Sequence, residues 1–207
     1  MAFLDIKTIL TLTALTLFAV AGAMSLVMGR QLSPAASAAR GSLIAQAGGW
    51  TAIVAAEFMW DMPLSVLAIA CGSAANLLMY TALEHWLGPR PGRMLLRLLC
   101  VLMPLGYAAS YSSYPIRVGW SNVLLAMQFA IVATAVVWTS SKTDEKGWRV
   151  LLALCYGPMA VLTLGRGILG GWYTELYPAF STPHPVNVAA QMAANISLVL
   201  STVAVMV

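Results

Sequence analysis

Residues 118–138 read VGWSNVLLAMQFAIVATAVVW, a run that carries no formal charge. A helix needs about 20 mostly apolar residues to cross the hydrocarbon core of a bilayer, and this run meets that length. The whole chain of 207 residues has the same character, because 60% of it is hydrophobic and only 9% is charged. A soluble domain of this size cannot bury so much apolar surface, and disorder requires the opposite composition. We therefore predict an all-α polytopic membrane protein.

Working outward from this run, six further apolar runs of similar length can be marked, and turn-forming residues separate them. Ser33-Pro34 lies between the first two runs, and Gly88-Pro89-Arg90-Pro91-Gly92 lies between the third and the fourth. The chain is thus expected to form one membrane-embedded domain over residues 1–207, a bundle of seven transmembrane helices. The predicted helices are Thr8–Gly29, Ser42–Phe58, Pro63–Leu83, Met94–Ser110, Val118–Trp138, Val150–Leu169 and Val186–Val207.

The distribution of basic residues predicts the orientation of this bundle. On the side of the N-terminus the loops and helix ends hold only Lys7, Arg117 and Arg166, and the other eight of the 11 basic residues fall on the opposite side. Because basic loops stay in the cytoplasm, we expect the N-terminus outside the membrane and the C-terminus in the cytoplasm. No charged residue follows Glu175, and the chain stops within an apolar run. We expect a cytoplasmic continuation beyond Val207.

Signatures of soluble enzymes are absent from the sequence. It contains no phosphate-binding loop, no H-E-x-x-H, no C-x-x-C and no G-x-S-x-G motif. The two histidines, His85 and His184, are predicted on opposite sides of the membrane, so they cannot share a metal or a haem. The three cysteines lie within apolar runs, as buried small side chains do. We expect no catalytic residue, no cofactor, no metal and no nucleic-acid partner.

Ionisable residues near the predicted outer helix ends are the candidate site. Glu57 and Asp61 are placed with Trp50 on one face of the second helix, because their spacing is i, i+7 and i+11. Arg117 lies near the outer end of the fifth helix and Arg166 near that of the sixth. Three interpretations stay open for the two acids and two arginines. They are an ion-pair cluster that orients the helices, a pocket for a small or anionic ligand, and a proton relay.

The outer loop Gly170–Pro185 precedes the last predicted helix and contains His184 among aromatic residues and prolines. It is expected either to cover the pocket as a lid or to lie among the lipid headgroups. On the last helix, Asn187, Gln191 and Asn195 form a polar stripe at i, i+4 and i+8. Such residues bind neighbouring helices, or they transmit a signal when the helix shifts.

Four stretches resemble the N-terminal membrane region of a group of bacterial diguanylate cyclases. They are LDIKTIL at 4–10, GRQLSPAA at 29–36, YTALEHWLG at 80–88 and YSSYPIRV at 111–118. In that group, a multi-helix membrane module precedes a cytoplasmic GGDEF domain that forms cyclic di-GMP from two GTP molecules when it dimerises. No GGDEF motif occurs in this chain, so no catalytic residue can be carried over.

The resemblance implies a homodimeric sensory module that couples a periplasmic or membrane cue to a cytoplasmic output domain. Two alternatives stay open. The chain could be the sensor of a histidine kinase, or it could be a stand-alone transporter or channel for small molecules, although no internal repeat supports transport.

Overall fold

The computed structural model describes residues 6–27, 33–138, 147–173 and 184–206, and within these ranges it consists of helices and contains no strand. This confirms the predicted all-α bundle. Seven helices follow one another along the chain. They are α1 Ile6–Val27, α2 Pro34–Ala56, α3 Asp61–Leu87, α4 Arg93–Ala109, α5 Tyr114–Val137, α6 Gly147–Trp172 and α7 Pro185–Met206.

The second helix begins eight residues earlier than its apolar run predicts, at Pro34 rather than Ser42. Ser33 caps this helix, because its hydroxyl oxygen accepts a hydrogen bond from the Ala36 amide at 3.2 Å. Proline is favoured in the first turn, where its missing N–H would have no partner. Ser33-Pro34 was predicted to separate the first two helices. In the structure it marks the start of α2. Pro115 likewise lies in the first turn of α5, as its second residue.

The helices are arranged in chain order around a central space. α2 lies along α3, and α5 lies along α6, so the bundle contains two closely packed helical hairpins. α1 packs on α2, α7 packs on α6, and α4 lies between α3 and α5. α3 also contacts α5, and α1 contacts α7, so that the first and last helices of the bundle meet. The two hairpins therefore face each other across the interior.

Glycines allow the two helices of each hairpin to approach closely. A Cβ atom on Gly167 of α6 would lie 3.1 Å from the backbone nitrogen of Val123 on α5. A Cβ atom on Gly49 of α2 would lie 3.2 Å from the carbonyl oxygen of Ala68 on α3. Gly167 and Gly171 form the G-x-x-x-G pattern of the sixth helix, and both face α5. This pattern therefore serves packing within the bundle.

The end of the bundle that contains the α3–α4 turn is tightly packed. Its core combines apolar side chains from α3, α4, α5 and α6, among them Leu83, Leu96, Val132 and Leu152, which are all fully buried. Tyr80 is buried in the same core, and its hydroxyl donates to the carbonyl oxygen of Arg90 at 2.7 Å. The interior is thus closed at this end.

Two arginines hold the end of α5 against the neighbouring elements. Arg90, which is 6% exposed, donates through Nη1 to the carbonyl oxygen of Trp138 at 2.7 Å and through Nη2 to that of Leu87 at 2.8 Å. Arg149 donates to the carbonyl oxygens of Val136 and Trp138. Burial lowers the pKa of the Arg90 guanidinium, and the nearby charge of Arg149 lowers it further. Cations at a helix C-terminus also interact favourably with its dipole.

Among the described residues, three helices are long and apolar enough to cross a membrane, namely α3, α5 and α6. Association with a membrane follows from these three helices, by their length and composition. The prediction of seven spanning helices and of their orientation stays a prediction. The predicted lid was the loop Gly170–Pro185. Its first residues, 170–172, belong to α6, and Pro185 begins α7, so the predicted loop is too long at both ends. Residues 174–183 and Val207 lie outside the described residues.

Candidate functional site

A cavity of about 900 Å³ lies between the two hairpins. This volume falls within the range of about 300–1,000 Å³ that is typical of small-molecule sites. Its wall comes mainly from α2, α3, α5, α6 and α7. Four of the predicted site residues, Glu57, Asp61, Arg117 and Arg166, line it together. The structure therefore brings both acids and both arginines to one place.

The two acids do not share a helix, which corrects the prediction that placed them on one face of the second helix. Glu57 is the C-terminal cap of α2, whereas Asp61 is the first residue of α3. Between them the chain reverses, and Trp60 adopts a left-handed conformation with φ 45°. Glu57 and Asp61 therefore do not lie one helical turn apart. Because the chain reverses between them, both exposed residues still line the cavity. The Asp61 carboxylate accepts a hydrogen bond from the Ser65 hydroxyl at 3.1 Å.

Three tyrosines surround the half-buried guanidinium of Arg117, and we call Tyr107, Tyr111 and Tyr114 the tyrosine cage. The guanidinium carbon lies 4.5 Å from the ring centre of Tyr111, 5.5 Å from that of Tyr107 and 5.9 Å from that of Tyr114. These are cation–π distances, and the rings therefore fix the position of the charge. The cage arises because the end of α4 and the start of α5 meet at a short turn.

Most hydrogen-bond donors of Arg117 remain available. Its Nη1 atom donates to the carbonyl oxygen of Tyr111 at 3.1 Å. A guanidinium has five N–H donors, and within the described part of the chain no carboxylate lies within 4 Å of this one. Burial raises the pKa of the Tyr111 hydroxyl, and the nearby negative charge of Asp61 raises it further. Tyr111 therefore stays neutral beside the arginine.

Two further donors on the cavity wall are buried without a partner. The Tyr114 hydroxyl and the Gln191 Nε2 atom make no hydrogen bond with the described residues. Gln191 is 1% exposed, so its amide is buried beside the cavity. A buried donor without a partner costs about 1–3 kcal/mol. The site therefore has unused hydrogen-bonding capacity that an acceptor group could satisfy.

The polar stripe of α7 connects this helix to its surroundings. Asn187 is fully buried, and its Oδ1 atom accepts a hydrogen bond from Arg166 Nη1 at 3.0 Å. Gln191 lines the cavity, and the Thr13 hydroxyl of α1 donates to Asn195 Oδ1 at 2.8 Å. The three residues therefore link α7 to α6, to the cavity and to α1 in turn.

A second, mainly apolar cavity of about 210 Å³ adjoins the first. The two cavities share wall residues and are therefore adjacent. The shared residues include Trp50, Ile69, Leu125, Phe129 and Met159. These residues also line the larger cavity, which therefore has a polar mouth, defined by Glu57, Asp61, Arg117 and Arg166, and an apolar interior.

Polar side chains beyond the apolar interior are already engaged. Asn76 Nδ2 donates to Gln128 Oε1 at 3.1 Å, and Gln128 Nε2 donates to the Ser73 hydroxyl at 3.1 Å. This network joins α3 to α5 and closes one side of the interior. Gln128 is fully buried, and its side chain packs within the interface between α3 and α5.

His184 is half-buried and precedes the first residue of α7. Its backbone carbonyl accepts the amide of Val188 at 3.1 Å and so begins the helical hydrogen bonds. The described wall of the cavity does not include its side chain. Its predicted role in ligand binding stays a prediction.

The tyrosine cage was not predicted, although its residues follow a helical spacing in the sequence. Tyr107 and Tyr111 are spaced i, i+4, and Tyr114 and Arg117 are spaced i, i+3. Each pair is therefore compatible with one helix face.

The site combines two acids, two arginines and buried hydrogen-bond donors around one cavity. Within the described ranges, no three His, Cys, Asp or Glu side chains come close enough to hold a metal ion. Comparison of the chain with protein-family models, curated proteins and solved structures finds no match. The resemblance to diguanylate cyclases therefore stays a prediction.

Proposed function

We propose that this chain is the membrane sensory module of a bacterial signalling protein and that it binds a small ligand in the central cavity. The observation that carries the proposal is the cavity itself, with its polar mouth and its wall drawn from both hairpins and from α7. A ligand seated there contacts elements that are far apart in the chain. Binding can therefore change how the hairpins and α7 are placed relative to one another.

The coupling to the cytoplasm runs through α7, the last helix of the chain. Arg166 lines the cavity and also holds Asn187 of α7, so a ligand that engages Arg166 competes with this contact. Gln191 lies on the same helix and lines the cavity directly. A shift of α7 would then reach an output domain beyond Val207. By the resemblance noted above, this output is a diguanylate cyclase that works as a homodimer, with a histidine kinase as the alternative.

The proposed topology is a seven-span bundle in the inner membrane, with the N-terminus outside. The three long apolar helices α3, α5 and α6 support it. Large exposed apolar side chains on other helices support it as well. These include Leu15 on α1, Leu105 on α4 and Ile196 on α7, each more than half exposed. In this topology the mouth faces the periplasm. The tightly packed α3–α4 end then faces the cytoplasm, which favours sensing over passage through the chain.

The test joins the C-terminal end of α7 to a cyclase domain that requires dimerisation, and measures cyclic di-GMP in cells. We expect Arg117→Gln and Arg166→Gln to change the output at equal amounts of inserted protein. Arg97→Gln is the matched control, because Arg97 is exposed on α4 and lies outside the described cavity wall. If both variants give the output of the parent protein, the sensory proposal fails, and uptake into vesicles becomes the next measurement.

A further inference from the structure

We infer that the ligand is an amphiphile with an anionic head, held with its head at the mouth and an acyl chain in the apolar interior. This inference rests on the proposed function, since it names the class of ligand that the same cavity takes. Three observations support it. Hydrogen-bond donors near the mouth have no partner among the described residues, the two acids Glu57 and Asp61 are exposed, and the wall of the interior is long and apolar.

Hydrogen-bond donors dominate the buried part of the mouth. The tyrosine cage holds Arg117 with most of its N–H groups unused, while the Tyr114 hydroxyl and Gln191 Nε2 are buried without partners in the described chain. All three residues line the same cavity. A carboxylate or phosphate offers several acceptor oxygens, and arginine binds such groups with two parallel hydrogen bonds. An anionic head would therefore satisfy donors that are otherwise buried at a cost in free energy.

The acids of the mouth do not compete for these donors. Glu57 and Asp61 are exposed, and water stabilises their charges. Asp61 accepts a hydrogen bond from Ser65 and makes no ion pair with Arg117. A cationic head would leave the buried Tyr114 and Gln191 donors without acceptors. The burial of the donors and the exposure of the acids therefore favour an anion.

The interior has the length and chemistry to hold an apolar chain. Along α5 the wall runs from Arg117 through Leu125 to Phe129, which is about 18 Å at 1.5 Å per residue. Trp50 and Met159 complete the apolar wall from α2 and α6. A compact polar metabolite would fill the mouth and leave this space empty. A chain attached to the head fills both.

The test uses the full chain in nanodiscs of neutral phosphatidylcholine and a radiolabelled long-chain fatty acid. Two probes with the same chain serve as comparisons, the neutral alcohol and the trimethylammonium compound. We expect the acid to bind about tenfold more tightly than either comparison, the equivalent of about 1.4 kcal/mol. If the alcohol or the ammonium compound binds as tightly as the acid or more tightly, the inference that the head is anionic is wrong. If none of the three probes binds, the inference that the ligand is an amphiphile is wrong.

Variants locate the head group. Arg117→Gln should weaken binding of the acid about tenfold, and Tyr114→Phe should weaken it several-fold while leaving binding of the alcohol unchanged. Arg97→Gln should bind the acid as the parent does. Tyr114→Phe removes a single oxygen that has no partner, so it keeps the experiment informative if Arg117→Gln fails to fold. If the acid binds equally to parent and Tyr114→Phe proteins, the assigned head site is wrong.

The anionic head has two possible sources, a free fatty acid and an anionic lipid of the bilayer. Nanodiscs that contain phosphatidylglycerol separate them. Competition by this lipid supports the inference with the bilayer as source, and unchanged binding supports it with the free acid as source. The cyclase-output test is independent of these probes. An output that responds to Arg117→Gln without any binding of the acid would retain the sensory function and reject the ligand class.

Discussion

Arg166 Nη1 donates a hydrogen bond to Asn187 Oδ1 across 3.0 Å, and this contact joins α6 to α7 at the mouth of the cavity. The two residues are 21 positions apart in the sequence, with the loop between the helices separating them. Asn187 is fully buried, whereas the Arg166 side chain is half-buried and lines the cavity. The contact therefore connects the site to the last helix of the chain.

Replacing Asn187 with Ala should lower the free energy of unfolding by about 2 kcal/mol, because a hydrogen bond to a charged group is lost inside the bundle. Thermal unfolding in detergent micelles, followed by circular dichroism, measures this loss. Met192→Ala on the exposed face of α7 is the control and should stay within about 0.5 kcal/mol of the parent. Equal stability of the Asn187→Ala and parent proteins would show that the contact does not hold α7.

Replacing Gln191 with Leu should stabilise the protein in the absence of ligand by about 1 kcal/mol. The reason is that Gln191 Nε2 is buried without a partner, so an apolar side chain of similar size removes a cost. The same variant should bind the fatty acid less tightly. A variant that is less stable than the parent would indicate that the amide is satisfied within the fold, and it would remove one of the three donors from the proposed head site.

Replacing Gly167 with Ala should destabilise the α5–α6 hairpin by about 1–3 kcal/mol, because overpacking displaces well-fitted neighbours. The added Cβ atom would lie 3.1 Å from the backbone nitrogen of Val123, which cannot move aside as a side chain can. Gly165→Ala is the matched control on the same helix, since nothing lies within 4 Å of its added Cβ atom. The control should be as stable as the parent or more stable by up to about 1 kcal/mol. Equal stabilities of the two variants would contradict the close approach of α5 and α6.

The tyrosine cage predicts a loss of stability at alkaline pH. Burial and the neighbouring Asp61 raise the pKa of the Tyr111 hydroxyl above its ordinary value of 10.0. Since the folded-state pKa is the higher one, this residue contributes stability that is fully present below pH 10 and is lost as the pH rises through the folded-state pKa.

Tyr111→Phe should therefore lose less stability between neutral pH and pH values above 10 than the parent does. Denaturant-induced unfolding at a series of pH values measures the difference. Tyr173→Phe replaces an exposed tyrosine at the end of α6 and should reproduce the alkaline loss of the parent. The same loss in the Tyr111→Phe and parent proteins would exclude Tyr111 as a source of the alkaline loss.

The sequence predicts the helices well because apolar runs and turn-forming residues are local signals. All seven predicted helices have a counterpart, and the largest shift is at the start of α2, where the Ser33 cap and Pro34 extend the helix beyond its apolar run. The position of Asp61 could not be predicted in the same way. It depends on the left-handed conformation of Trp60, which sequence spacing does not reveal.

The site was predictable only in part. Four charged residues near the predicted helix ends were assigned to one side, and the cavity contains all four. The tyrosine cage and the unpartnered Gln191 amide depend on where side chains from different helices meet. A hydropathy profile carries no information on such contacts, because it reports the burial of a segment and not its neighbours. Beyond the sequence, the structure therefore shows in which direction each polar side chain points within the bundle.

The pairing of α2 with α3 and of α5 with α6 has a consequence for biogenesis. Each hairpin joins helices that are neighbours in the chain, so it can form as soon as its second helix leaves the ribosome. The cavity, by contrast, needs residues from both hairpins and from α7, and is complete only after α7 has packed against them. A molecule that fits it would bind only copies in which α7 is in place, and would stabilise that arrangement by mass action. The occupied cavity then distinguishes copies with a packed α7 from copies without one.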